Sequence, residues 1–218
     1  MPLIFDREVF DHARVGLWKI DETKETLEGL AELDPDEETR YASFKSEIRK
    51  KQWLSYRILL KKMLAADAVH LEYDRYGKPR LRDSTLFLSI SHSGNYSAAI
   101  TSQTTPAGID IETLKDRIYR ISERFLSSEE IRNVGEDSRL EKLTICWGAK
   151  EAVYKIYGRP EVDFQRDIYI GTFPYLCTGK GRCTARMNTP EGNEFFDVFY
   201  EKISGYMLVY ALKTDGNK

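Results

Sequence analysis

Histidine and cysteine are scarce in this sequence, three of each in 218 residues, and neither sign of charge prevails. Cys146, Cys177 and Cys183 are odd in number and never spaced as CxxC. A disulfide framework or a zinc ligand set is therefore not expected; buried, reduced thiols are. With 33 Lys+Arg against 35 Asp+Glu the formal charge is −2, which excludes a global attraction to nucleic acid or to an anionic membrane. Any anionic ligand must meet a local basic cluster instead. No run approaches the ~18 apolar residues that a membrane span needs. The opening "MPLIFDREVFDHARVGLWKI" carries acids where a secretion signal would place an apolar stretch. A reducing cytoplasm is the expected compartment. Also missing are GxxxxGK[ST] and GxGxxG, the phosphate-cradling loops of P-loop and dinucleotide-binding folds. Ser91 lacks the nucleophile elbow of a serine hydrolase, and His12 and His70 are the sole histidines besides His92.

What is present reads as one soluble domain or two small halves packed as one. A hydrophobic share of 41% and a charged share of 31% are ordinary for a globular chain, and this length buries roughly 70% of the unfolded surface. "VGLWKI" (15–20) predicts a strand. From Asp34, which caps a Pro at the first helical position, "DPDEETRYASFKSEIRKKQWLSYRILLKKMLAA" predicts a long helix. Trp53, Leu54, Ile58, Leu59 and Met63 form its apolar face. "TLFLSIS" (85–91), "YSAAITS" (96–102) and "GIDIE" (108–112) predict strands. "SSEEI" (127–131) starts a helix, and a longer one runs from about Leu140 to Tyr157 until Gly158 and Pro160 stop it. The remaining third reads as antiparallel strands. The order is α+β, and the stretch 103–107 is the natural break between two halves.

In "GIDIE" the residues two apart share a face of the strand, so Ile109 and Ile111 point into the core while Asp110 and Glu112 face a common space. Two carboxylates that close share a proton or bind a cation, although for an isolated pair a solvated strand end with two unrelated acids is the plainer reading. A third acid, Glu151, lies four residues before Lys155 on the helix "CWGAKEAVYKIYG", one turn after Trp147; a surface ion pair is the plain alternative. Three carboxylates with water and phosphate oxygens suit Mg²⁺. Ser91, His92 and Ser93 in "SISHSG", Lys78 between Gly77 and Pro79, and the cluster Arg40, Lys45, Arg49, Lys50 and Lys51 offer donors for phosphate.

Taken together, "GKP" (77–79), "SISHS" (89–93), "GIDIE" (108–112) and "WGAKEAVYK" (147–155) stand in the order and spacing of the 4′-phosphopantetheinyl transferases. "ERFLSSEE" (123–130) also resembles a family segment. The chain is similar to the larger, monomeric Sfp-type branch from about Asp34 to Tyr157. The resemblance implies two similar α/β halves related by a pseudo-twofold axis, with the active site between them. Residues 1–105 would supply the coenzyme A nucleotide and phosphate contacts, and 106–218 the metal-binding acids, the catalytic helix and the carrier-facing surface. The family moves the phosphopantetheine arm of coenzyme A onto a serine of an apo acyl or peptidyl carrier protein and releases adenosine 3′,5′-bisphosphate. Carried over by position, the metal ligands for Mg²⁺, or Mn²⁺ in its place, are Asp110, Glu112 and Glu151. The catalytic groups are Glu151 and Lys155. The coenzyme contacts are Lys78, Ser91, His92, Lys150 and Lys155, with Arg40, Lys51 and Gln52 matched more loosely. "LKDRIYRISERFL" (114–126) is the expected landing site for an acidic carrier. Gly148 departs from the pattern where many members have Ser, Thr or Cys, and Glu37 stands where some present a base. A coenzyme-binding module without transfer, and a Mg²⁺-dependent pyrophosphate hydrolase, are the competing readings.

Overall fold

The computed structural model describes residues 2–10 and 12–214, so the outermost ends of the two expected halves, residue 1 and residues 215–218, lie outside the described residues. Strands β1 (Leu3–Phe10), β2 (Ala13–Lys19), β5 (Phe87–Ser93) and β6 (Tyr96–Ser102) form an antiparallel sheet in the order β1-β2-β6-β5. A second antiparallel sheet runs β7 (Ala107–Thr113), β11 (Tyr206–Thr214), β10 (Gly192–Ile203), β9 (Lys180–Thr189), β8 (Ile168–Ile170). The first sheet's strands all precede residue 103 and the second's all follow residue 106. A small ribbon of β3 (Leu71–Tyr73) and β4 (Pro79–Leu81) completes the strands.

Each sheet carries one long helix. Helix α3 (Glu47–Leu64) lays Trp53, Leu54, Leu59, Leu60 and Met63 on one face of the first sheet. Its neighbours α1 (Lys24–Ala31) and α2 (Pro35–Ala42) lie on the same side. Helix α6 (Arg139–Tyr157) lays Leu143, Ala149, Ala152 and Val153 on the second. The opposite faces of both sheets share a third core, in which Val15, Leu17, Ala98 and Ile100 meet Ile109, Ile111, Leu208 and Tyr210. The molecule is thus layered helix–sheet–sheet–helix. Its remaining short elements are α4 (Arg117–Ile121), a 3₁₀ turn at Ser122–Arg124, α5 (Ser128–Val134) and α7 (Phe164–Asp167).

One difference from the sequence reading has a local cause. The long helix expected from Asp34 is two helices. α2 keeps its expected cap, Asp34 and Glu37 bonding reciprocally to each other's backbone, but the chain leaves the helix at Ser43. It restarts at α3, with the Ser46 hydroxyl accepting from the Arg49 amide. The stretch 114–126 forms α4 and the 3₁₀ turn, with Ile118, Phe125 and Leu126 in the core. Cys146 and Cys183 are buried as expected, whereas Cys177 is exposed on the loop between β8 and β9; all three are free. Among the described residues no helix is long and apolar enough to cross a membrane.

Candidate active site

The seam between the two sheets is stitched by serines. Alternation on β5 turns Ser89 and Ser91 toward β7, where their hydroxyls accept from the Ile109 and Ile111 amides at 3.2 and 3.3 Å. Ser91 donates onward to Asp110 Oδ1 at 2.8 Å, and Ser93 donates to Glu112 Oε2 at 3.3 Å. The "SISHS" run therefore does not form a turn. The turn is Gly94–Asn95, with Gly94 at φ +52°, and it does not line the cavity described next. Ser91 faces that cavity, but its hydroxyl is already shared between Asp110 and the Ile111 amide.

On the helix side of β5 lies a cavity of about 410 Å³. It is lined by Arg40, Phe44, Arg49, Trp53, Tyr56, Tyr73 and Tyr76 together with Lys78, Ser91, His92, Tyr154 and Lys155. The Arg40 guanidinium lies 3.7 Å over the Tyr73 ring. Burial, with Arg49 and Lys155 nearby, holds the His92 pKa below its usual value. Lys78 donates 2.6 Å to the Ile156 carbonyl, in the last turn of α6, and its burial lowers its pKa. A basic, aromatic-lined cleft of this kind accepts a ligand that carries both a flat ring and anionic groups.

Next to the cavity stand the acids. Asp110 is 4% exposed, and its Oδ1 accepts from Ser91 and from Lys155 Nζ, the latter at 2.8 Å. Lys155 also donates 2.9 Å to the Ile109 carbonyl. Asp110 Oδ2 is buried with no partner, an unmet acceptor of the kind a cation satisfies. Glu112 accepts from the Trp147 indole at 3.3 Å, and burial beside Asp110 raises its pKa. Burial first, then the charges of Asp110 and Glu112, push Glu151 up to about 7, with Lys155 opposing. The three carboxylates thus sense one another, and a donor set of oxygens alone suits a hard cation. They are not drawn into a finished site: among the described residues no three His, Cys, Asp or Glu side chains are gathered tightly enough to hold a metal ion.

Glycine makes this approach of strand and helix possible. A methyl group at Gly108 would overlap the Ala152 carbonyl oxygen of α6. One at Gly148 would stand 2.8 Å from Val209 Cγ2 and 3.6 Å from Asp110 Oδ2. The departure at Gly148 therefore leaves room around the Asp110 carboxylate.

On the far side of the acids is a second, more open depression of about 510 Å³, lined by Arg117, Ile121, Arg124, Phe125, Trp147, Glu151, Val162, Asp163 and Phe164. Glu151 opens onto this side and Lys155, one turn later on α6, onto the other. Of the expected landing residues, Arg117, Ile121, Arg124 and Phe125 line it, while Lys115 and Arg120 do not.

Three residues named for the coenzyme fall elsewhere. Gln52 is buried and donates 3.0 Å to the Gly94 carbonyl, tying α3 to the β5–β6 turn. Lys51 does not line the cavity. Lys150 is fully buried, its Nζ donating to Glu130 and to the Phe164 and Ile168 carbonyls; the helix turns it away from the cleft into the core. Glu37, the other departure, is spent on the α2 cap and on an ion pair with Arg57 at 3.0 Å. Conversely, the aromatic lining that Phe44, Trp53, Tyr56, Tyr73 and Tyr76 give the cavity was not read from the sequence. Its rings are spread over residues 44–76, on separate elements, and no local spacing joins them.

The family model described as the 4′-phosphopantetheinyl transferase superfamily matches residues 106–197, which span β7, the depression and α6. The 4′-phosphopantetheinyl transferase AcpT of Escherichia coli O157:H7 is 30% identical over 120 residues, half of this chain and 59% of that protein. The 4′-phosphopantetheinyl transferase psf-1 of Bacillus pumilus is 32% identical over 100 residues, 44% of this chain and 42% of that protein. The chain thus spans about half the length of the curated relatives it matches. Over its segment 106–197 the chain is similar to the 4′-phosphopantetheinyl transferase superfamily, and the relatives named above are transferases of that description.

Proposed function

We propose that this chain is an Sfp-type 4′-phosphopantetheinyl transferase, which moves the phosphopantetheine group of coenzyme A to a serine of an apo acyl or peptidyl carrier protein. One observation carries the reading. A single helix presents Lys155 to a basic, aromatic cavity and Glu151 to an open depression on the other side, with Asp110 between them. A donor nucleotide fits the first side and a protein acceptor the second.

In this reading the cavity takes coenzyme A, its adenine against the aromatic rings and its phosphates toward Lys78, His92 and Lys155. Asp110, Glu112 and Glu151 would hold Mg²⁺, which supplies charge neutralisation at the pyrophosphate. The carrier serine approaches from the depression, and its proton passes to Glu151, directly or through one water. The serine oxygen forms a bond to the β-phosphorus, and the bond from that phosphorus to the bridging oxygen breaks. Lys155 stabilises the charge left on the departing adenosine 3′,5′-bisphosphate. Arg117 and Arg124 beside Ile121, Phe125 and Phe164 suit an acidic partner with an apolar centre. The helix-on-sheet plan common to residues 3–102 and 107–214 supports the two-halved, pseudo-twofold arrangement of that branch. The chain would act as a monomer in the cytoplasm.

The test is bisphosphate release from coenzyme A and Mg²⁺ with and without a panel of apo carriers. Release that requires the carrier is expected. Release without any carrier marks a pyrophosphate hydrolase, and binding of coenzyme A with no release marks a binding module; either outcome contradicts the proposal.

A further inference from the structure

Lys150 neighbours Glu151 on α6, yet its ammonium group enters the core and is fully buried. Burial of a cation costs heavily unless each of its protons finds an acceptor. Here three donors meet three groups: the Glu130 carboxylate at 2.9 Å, the Phe164 carbonyl at 2.8 Å and the Ile168 carbonyl at 2.5 Å. No donor is left for a ligand. Glu130 is held in turn, accepting from the Ser127 amide and hydroxyl at 2.9 and 3.0 Å and from the Ile170 amide at 2.9 Å. The pair therefore fastens α6 to α5 and to the segment 164–168. That segment begins at Phe164, which lines the depression together with Arg117 and Arg124. Phe164, whose carbonyl Lys150 grips, sets its ring 5.8 Å from Trp147 and 5.6 Å from Tyr154. Trp147 in turn donates to Glu112.

We propose that Lys150 is a positioning residue for the acceptor side of the site: through the Phe164 carbonyl it fixes the wall against which the carrier docks, and it does not touch coenzyme A. The inference rests on the transfer reaction proposed above. Its physical content is that a local tether sets the shape of a protein-binding surface, while Phe164 reaches the wall of the donor cavity only through the Tyr154 ring.

Two variants test it. Glu130→Gln with Lys150→Met removes the tether without stranding a buried charge, and Phe164→Ala removes only the ring that the tether places. Calorimetry gives the Kd for coenzyme A, and steady-state transfer gives KM and kcat for one apo carrier. The expected result for both variants is an unchanged coenzyme A Kd, a carrier KM raised about tenfold, and a kcat changed less than about threefold. A coenzyme A Kd weakened about tenfold in the double variant, with carrier KM unchanged, overturns the inference in favour of a coenzyme contact. Should the double variant lack a cooperative melt, Phe164→Ala decides, and a wild-type carrier KM there overturns the inference alone. Failure of the wild-type chain to label any carrier removes the proposed function and this inference with it.

Discussion

The two oxygens of Asp110 divide its work. Oδ1 is bound by Ser91 and Lys155, which orient the carboxylate, while Oδ2 is closed off beside Gly148 with no donor. An acceptor left unmet in the interior costs about 1–3 kcal/mol, which a bound cation would offset. Asp110→Ala should therefore lower transfer by about 10³-fold, the several kcal/mol expected of a lost metal ligand, while the protein keeps a cooperative melt. Near-normal turnover would remove Asp110 from the metal set. Glu151 gives a pH signature. Its folded pKa, about 7, lies above the ordinary 4.5 because of burial and of Asp110. The folded chain binds more protons than the unfolded one between those values, so without metal its stability falls as pH rises from about 4.5 to 7. The fall from this group is at most about 3 kcal/mol. Mg²⁺ should displace that proton, so its stabilising shift in Tm should be larger at pH 8 than at pH 6. Glu151→Gln should flatten both trends, and a Mg²⁺ shift independent of pH in the wild type would contradict the assignment.

At the scale of elements, the site depends on how closely β7 and α6 approach. Gly108 is the narrowest point, since any side chain there meets the Ala152 carbonyl oxygen. Gly108→Ala should cost about 3 kcal/mol through overpacking and should reduce transfer more than it reduces coenzyme binding, because it displaces Glu151 from Asp110. Equal losses in both measurements would mean that the strand–helix spacing is not what aligns the acids. The inward isoleucines and outward acids of "GIDIE" were legible in the sequence because a two-residue period needs no tertiary information. The α5 cap was legible for the same reason: Ser127 and Glu130 sit at the spacing of a capping box, and both of its bonds form. The break at Ser43–Ser46 was not, because the helical composition continues through it and only packing of Tyr41 and Phe44 on Trp53 turns the chain. Strand β1 and helix α1 were likewise passed over, the first being read only for a leader. Lys150 was misplaced for a tertiary reason. Its sequence neighbourhood gives the spacing to Glu151 and Lys155 but not the presence of Glu130 behind it.

Across the whole molecule, residues far apart in sequence converge on one line. The cavity joins α3, the β3–β4 ribbon and β5 to α6 on the second sheet. Lys78 links the ribbon directly to α6, through the Ile156 carbonyl. The acids follow on β7 and α6, and the depression beyond them is built by α4, the 3₁₀ turn and the 162–164 segment. The proposed order, donor cavity, carboxylates, acceptor surface, is the central claim, in which a group would pass from a nucleotide to a protein. Its most direct test is the intact mass of an apo carrier after incubation with the chain, coenzyme A and Mg²⁺. The account predicts a gain of one phosphopantetheine group, lost when the carrier's acceptor serine is replaced by alanine; an unchanged mass across a panel of apo carriers would contradict it.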